Sequence, residues 1–240
     1  MRPDTITVQP PLFPSVPRRR REVRDPYDGL RPWSAITHGA GAVLSLAGTI
    51  YLLLRTAAEG NGLVFGLMAV YGLSMVCLYT ASTLYHCLRV SVPGRLALRK
   101  YDHCSIYLLI AGSYTPLCLT ALRDSGGPVL LALVWSVGVV GMILTITKLS
   151  IPRWLTSVIY LAMGWMALFA IAPLSRVLPA AGMFWLIAGG VLYTVGGVLY
   201  AVKWPGRNNP RFGCHEIFHV FIVLGSVSHF ILMYSVVAPL

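Results

Sequence analysis

Residues 128–147 read PVLLALVWSVGVVGMILTIT, twenty residues that lie in the uncharged stretch between Asp124 and Lys148. An α-helix needs about 20 apolar residues to cross the hydrocarbon core of a bilayer. Residues 182–202, GMFWLIAGGVLYTVGGVLYAV, form a second uncharged stretch of similar length. Each stretch therefore predicts a transmembrane helix.

Seven apolar segments of this kind occur along the chain. Apolar segments lie near residues 34–54, 63–88, 101–122, 128–147, 154–173, 182–202 and 214–238. Of the 240 residues, 56% are hydrophobic and only 11% are charged, whereas soluble domains carry about 25% charged residues. The composition excludes a separate soluble domain and predicts an all-α, integral membrane bundle of seven transmembrane helices over residues 32–240.

The basic residues predict how this bundle is oriented. Sixteen of the 19 lysine and arginine residues fall in the amino-terminal tail and in alternate loops, and the opposite side keeps only Arg55, Arg123 and Arg176. Because cytoplasmic loops carry the excess of Lys and Arg, the amino terminus is predicted inside and the carboxyl terminus outside. This spread of charge also argues against a nucleic-acid partner, although the net charge is +11.

Residues 1–31 are rich in proline and arginine, with the run Arg18-Arg19-Arg20-Arg21. No apolar stretch follows a charged start within the segment, as a cleaved signal peptide would require. We predict a disordered basic cytoplasmic tail that lies near anionic lipid headgroups.

Ionisable and polar side chains gather at the predicted cytoplasmic ends of three helices. His215 and His219 are four residues apart and therefore share one helix face, as do Ser82 and His86. Asp102 opens the third helix on the same side. Since ionisable residues inside a membrane are costly and usually functional, their shared depth predicts a single site.

Three neutral imidazoles with one open position are a common arrangement for catalytic Zn²⁺. We predict that His86, His215 and His219 bind the metal. Zinc lowers the pKa of bound water to about 7, and a carboxylate such as Asp102 can orient that water or carry its proton. Ser82 could donate a hydrogen bond to the water or to a substrate carbonyl.

Alternative interpretations of these residues remain open. The three histidines could be hydrogen-bonded to other helices, and Asp102 could pair with Arg99 or Lys100. A mixed site with Cys87 or Cys214 is the second possibility for the metal, although both cysteines should point away from it.

Other polar residues near the helix ends have plainer interpretations. His38 is interpreted as an interfacial histidine rather than a pocket-lining group, and His229 as a satisfied histidine between helices. Glu216 is expected to pair with Lys203 or Arg211. Two glycine pairs seven residues apart, Gly189-Gly190 and Gly196-Gly197, predict close helix packing and carry no functional prediction.

The sequence resembles the progestin and adipoQ receptor family, which includes the bacterial haemolysin III proteins. The resemblance rests on Ser82-Thr-Leu-Tyr-His86, on the stretch that begins at Asp102, and on His215-Glu-Ile-Phe-His219. It covers residues 33–240. It implies a seven-helix fold with an inside amino terminus, zinc held by the three histidines, Asp102 and Ser82 beside the bound water, and a bacterial plasma membrane location.

The resemblance leaves two functional predictions open, because a fold and a motif do not fix a substrate. Adiponectin receptors and alkaline ceramidases are associated with zinc-dependent hydrolysis of ceramide-like amides, and bacterial members are linked to haemolysis and membrane lipid homeostasis. The first prediction is a zinc-dependent hydrolase of lipid amide or ester bonds, with membrane lipids as its partners. The second is a non-enzymatic receptor or regulator of membrane state with a structural zinc.

Overall fold

A computed structural model describes residues 30–147, 152–206 and 212–240. The predicted tail, residues 1–31, lies outside the described part of the chain except for Leu30 and Arg31. Arg31 directly precedes the first helix, and its backbone N–H donates to the carbonyl of His86 at 3.1 Å. The last residue of the tail segment is therefore in contact with the helical domain.

The described residues form helices joined by short connections, and they contain no β-strand. The α-helices are α1 (Pro32–Ala58), α2 (Gly62–Cys87), α3 (Val92–Leu119), α4 (Gly127–Ile146), α5 (Arg153–Gly164), α6 (Ile171–Val177), α7 (Ala180–Val202) and α8 (Cys214–Leu232). A 3₁₀ segment, Trp165–Ala170, joins α5 to α6, and a π-helical turn, Met233–Val237, follows α8. The all-α prediction is confirmed.

Six helical stretches of the described chain are long and apolar enough to cross a membrane. They are Pro32–Ala58, Gly62–Cys87, Gly127–Ile146, Trp154–Val177, Ala180–Val202 and Cys214–Val237. Large apolar side chains on these helices point outward, for example Phe169 at 86% and Val43 at 70% exposure. In water such a surface would be unstable, so the chain is an integral membrane protein.

Helix α3 is long enough to span but differs in composition from the other six stretches. It has 28 residues and begins at Val92, nine residues before the predicted start at 101. The early start follows from Ser91, which caps the helix by accepting from the backbone N–H of Gly94. The extension brings Arg95, Arg99 and Lys100 into the helix beside Asp102, and the count of seven spans remains a prediction.

The predicted fifth helix is interrupted where a side chain from α3 enters it. The hydroxyl of Tyr114 donates to the carbonyl of Gly164 at 2.7 Å and accepts from the backbone N–H of Ala167 at 2.8 Å. These bonds take the place of regular helical bonds, and insertion of a side chain into the ladder is a known cause of breaks. The 3₁₀ segment begins at Trp165, directly after this contact.

The helices pack in an order that closes on itself. Consecutive neighbours from α1 to α5 are in contact, α5 packs on α7, α7 on α8, and α8 returns to α1. Helix α3 also contacts α5, so it lies among other helices rather than at an edge. The return of α8 to α1 places the two ends of the chain's helical domain side by side, next to α2.

The paired glycines of α7 allow α8 to approach closely, which confirms the packing prediction. A Cβ added at Gly189 would lie 2.3 Å from the His229 ring, and one at Gly196 would lie 2.6 Å from Cβ of Phe221. Real Cβ atoms do not approach other atoms so closely. At the second glycine of each pair, Gly190 and Gly197, an added Cβ would have no contact shorter than 3.6 Å.

We expect Gly196→Ala to destabilise the α7–α8 contact because the new methyl group meets Cβ of Phe221, which cannot rotate away. Overpacking of this kind costs about 1–3 kcal/mol. The control is Gly197→Ala, whose Cβ would meet Leu161 at an ordinary 3.7 Å. Thermal unfolding in detergent should show a lower Tm for Gly196→Ala alone; equal Tm values for both variants would contradict the packing argument.

Candidate metal centre

Two helix ends bring the predicted metal ligands together. His86 lies in the last turn of α2, and His215 and His219 lie in the first two turns of α8. The four-residue spacing on α8 places both of its imidazoles on one face. The three histidines therefore lie together because α2 ends close to the place where α8 begins.

The three imidazoles form a group that could hold a metal ion. One ligand nitrogen from each lies within 4.8 Å of the others, and Nε2 of His86 is 3.2 Å from Nε2 of His215. Two nitrogens bound to one tetrahedral zinc at about 2.0–2.1 Å lie roughly 3.3 Å apart, so this pair already has the required spacing. The group contains no cysteine, which gives no support to the mixed His/Cys alternative.

His219 is oriented by the first turn of α1. Its Nδ1 lies 3.3 Å from the backbone carbonyl of Ser34. A carbonyl only accepts, so Nδ1 carries the proton and Nε2 keeps its lone pair free for a metal. Such contacts to the second ring nitrogen are typical of metal-binding histidines, because they fix the tautomer and the ring orientation.

Glu216 ties α1 to the start of α8, and the predicted pairing with Lys203 is wrong. One carboxylate oxygen accepts from Arg31 at 3.2 Å and from the Ser34 hydroxyl at 3.0 Å. The other accepts from the backbone N–H of Gly213 at 2.9 Å and so caps α8. The carboxylate is buried and reaches α1 because α1 packs against α8; Arg211 lies outside the described residues.

A family model described as "Haemolysin-III related" matches residues 32–230 of the chain. This chain belongs to the haemolysin III family. Hemolysin-3 of Bacillus cereus is 36% identical over 206 residues, covering 86% of this chain and 91% of that protein. A Hemolysin-3 homolog of Bacillus subtilis (strain 168) is 36% identical over 208 residues, 86% of this chain and 94% of that protein.

A more distant relative links the family to the eukaryotic receptors. The adiponectin receptor protein of Drosophila melanogaster is 28% identical over 223 residues, which is 81% of this chain and 48% of that protein. The resemblance to the progestin and adipoQ receptor family, with its haemolysin III branch, is thereby confirmed.

Asp102 is not a member of the group formed by His86, His215 and His219, which is called the metal group below, but its side chain interacts with that group. Its side chain is 13% exposed, and its carboxylate interacts electrostatically with the rings of His86 and His219. Oδ2 of Asp102 lies 3.5 Å from Nδ1 of His103, which also lies 2.9 Å from the backbone carbonyl of Arg99. Lys100, named above as an alternative partner, donates instead to the backbone carbonyl of Ile146 at 2.7 Å.

Ser82 is buried one turn before His86 on α2. The spacing of four residues places its hydroxyl on the same helix face as the ligand. Its predicted part in the chemistry, like that of Asp102, remains a prediction.

His38 is the site residue whose placement the sequence interpretation missed. It is only 3% exposed and stacks on His219, with ring centroids 3.5 Å apart and 15° between the planes. The interfacial interpretation is therefore wrong, because α1 turns this face towards α8 rather than towards the headgroups. The sequence did offer one indication, because His38 falls at the same end of the predicted bundle as His86, His215 and His219.

The interpretation of His229 as a satisfied histidine between helices is confirmed. Nε2 of His229 lies 3.3 Å from the backbone carbonyl of Leu186 on α7. His229 is ten residues beyond His219 on α8, about 15 Å along the helix axis. It is therefore a satisfied histidine between helices and is remote from the metal group.

Proposed function

We propose that this haemolysin III family member is a zinc-dependent hydrolase of lipid amide or ester bonds that takes part in membrane lipid homeostasis. The observation that supports the proposal is the group of His86, His215 and His219, three histidine ligands with a carboxylate beside them. A zinc site with three protein ligands leaves a position for water or substrate, which is typical of catalytic sites.

The donor set fits zinc. Neutral imidazole nitrogens are ordinary zinc ligands, the His86–His215 spacing suits a tetrahedral ion, and His219 has its second nitrogen held by Ser34. A zinc ion bound by these residues supplies a Lewis acid that polarises a carbonyl group and makes water more acidic.

The residues around the ligands would handle the proton and the substrate. Asp102 interacts electrostatically with His86 and His219, and as an anion its carboxylate can accept a proton from water and pass it on to the leaving group. Ser82, one turn from His86, can donate a hydrogen bond to the substrate carbonyl. The apolar helices exclude bulk water from this exchange.

The substrate's acyl chain would lie among the helices beyond the metal group. An apolar cavity of about 60 Å³ is lined by Tyr114, Trp165 and His229, among other residues of α3, α7, α8 and the 3₁₀ segment. Its volume is enough for the end of a chain only. Binding a whole chain would therefore require the 3₁₀ segment, where regular helical bonds are already broken, to move outward.

The proposal places the metal group at the cytoplasmic face of seven spans in a bacterial plasma membrane. Support comes from α3, which packs among α2, α4 and α5 and is 28 residues long. The excess of basic residues on the tail side supports an inside amino terminus. With this topology the site opens to the inner leaflet.

We expect alkaline phosphatase fused after Leu240 to be active, because this enzyme matures only outside the cytoplasm and seven spans end there. Fusion after Val90, in the loop that follows α2, serves as the cytoplasmic control and should be inactive. An inactive fusion after Leu240 at normal expression would contradict the odd number of spans.

The second candidate function, a receptor or regulator with structural zinc, is favoured by one observation. The ligands come from two helices far apart in sequence, α2 and α8, and Arg31, which directly precedes α1, contacts both of them. A metal at this junction would fix the bundle at one end without any turnover. The two candidate functions differ in the role of Asp102: the hydrolase requires its carboxylate for turnover, whereas the receptor or regulator does not.

We expect Asp102→Asn to retain about one zinc per chain and to hydrolyse a fluorescent short-chain ceramide about 10²–10⁴ times more slowly, because an amide cannot accept the proton. Asp124→Asn, the same change at an exposed acid, is the control. Elemental analysis and turnover in detergent micelles are measured on both. Wild-type turnover in Asp102→Asn would remove the proposed role of Asp102.

A further inference from the structure

His38 has an unusual environment for a buried imidazole. It is 3% exposed, and neither Nδ1 nor Nε2 makes a hydrogen bond of good geometry to a described residue; the one contact is with the backbone of His219. A neutral imidazole always carries one N–H donor and one acceptor nitrogen. Leaving such a group buried without a partner costs about 1–3 kcal/mol, so a purely structural role would be better served by an apolar ring.

The position of His38 is fixed by two aromatic neighbours. Its ring stacks on that of His219 with 3.5 Å between centroids and lies 85° from the ring plane of Tyr79 with 5.1 Å between centroids. It also interacts electrostatically with His86. Stacking covers one ring face of His38 and leaves its nitrogens, which lie in the ring plane, available at the edge.

The near-parallel arrangement of the His38 and His219 rings determines which atoms the His38 nitrogens can contact. A metal bound to Nε2 of His219 would lie in the plane of that ring, about one ring spacing from the plane of His38, and a metal ligand on the side that faces His38 would lie closer to the plane in which the His38 N–H points. His38 is not a member of the group whose nitrogens lie within 4.8 Å of one another, so it is placed to bond a ligand of the metal rather than the metal itself. The chemistry it offers suits an uncharged or anionic oxygen.

We propose that His38 is a substrate-binding residue whose N–H donates a hydrogen bond to the carbonyl oxygen of the lipid amide or ester at the metal group. This inference rests on the proposed function and adds a contact from α1 to those of Asp102 and Ser82. His38 thereby selects carbonyl compounds, and its stacking on His219 sets the distance between the bound carbonyl and the ligands.

The test uses the full chain in detergent, loaded with Co²⁺ in place of zinc and titrated with acetohydroxamate, a small metal-binding mimic of the amide. Visible absorption of the cobalt reports binding. His38→Phe keeps the stacked ring and removes both nitrogens, so its affinity for acetohydroxamate should fall about tenfold, as expected for one lost hydrogen bond. Cobalt content should stay near one per chain.

Two further variants separate this effect from packing. His38→Gln keeps a donor and an acceptor and should bind with an affinity between those of wild type and His38→Phe. Tyr51→Phe removes a polar group from the same helix, 13 residues beyond His38, and should bind as wild type does.

Acetohydroxamate binding by His38→Phe as tight as that of wild type would overturn the proposal, and so would a cobalt-loaded wild type that does not bind acetohydroxamate. Lipid turnover is measured separately on zinc-loaded wild type. A tenfold loss in His38→Phe without any wild-type turnover would therefore support the role of His38 and contradict the hydrolase reaction.

Discussion

His219 connects three helices through three contacts of its ring. Its Nδ1 donates to the carbonyl of Ser34 on α1, its face stacks on His38, and its ring lies 5.1 Å from that of His86 on α2. Polar groups buried in an apolar bundle are stable only when they are paired. The ends of α1, α2 and α8 are therefore tied to one another, and a metal at the three histidines would complete this junction.

The all-helical architecture and the grouping of His86, His215 and His219 were largely accessible from the sequence because their signals are local. Long uncharged stretches predict the helices, and the spacing of His215 and His219 places both on one face. The depth of His86 and Asp102 followed from loop charges. The start of α3 was missed because Ser91 and the basic residues after it disguise a helix that extends beyond the apolar stretch.

Lateral contacts between helices were not accessible in the same way. A helical pattern gives the depth of His38 but not which helix it faces, so its stacking on His219 could not be inferred. The pairing of Glu216 with Arg31 joins residues 185 positions apart and depends on α8 returning to α1. The insertion of Tyr114 at Gly164, which interrupts the predicted fifth helix, is likewise a matter of side-by-side packing.

If His86, His215 and His219 hold a metal, elemental analysis of the detergent-purified chain should find it. We expect about one zinc per chain in wild type and in His229→Ala, and none in His219→Ala. Wild-type protein that is folded and remains free of zinc after exposure to the metal would show that these histidines bind no zinc. The three imidazoles would then be a polar junction between helices without a metal.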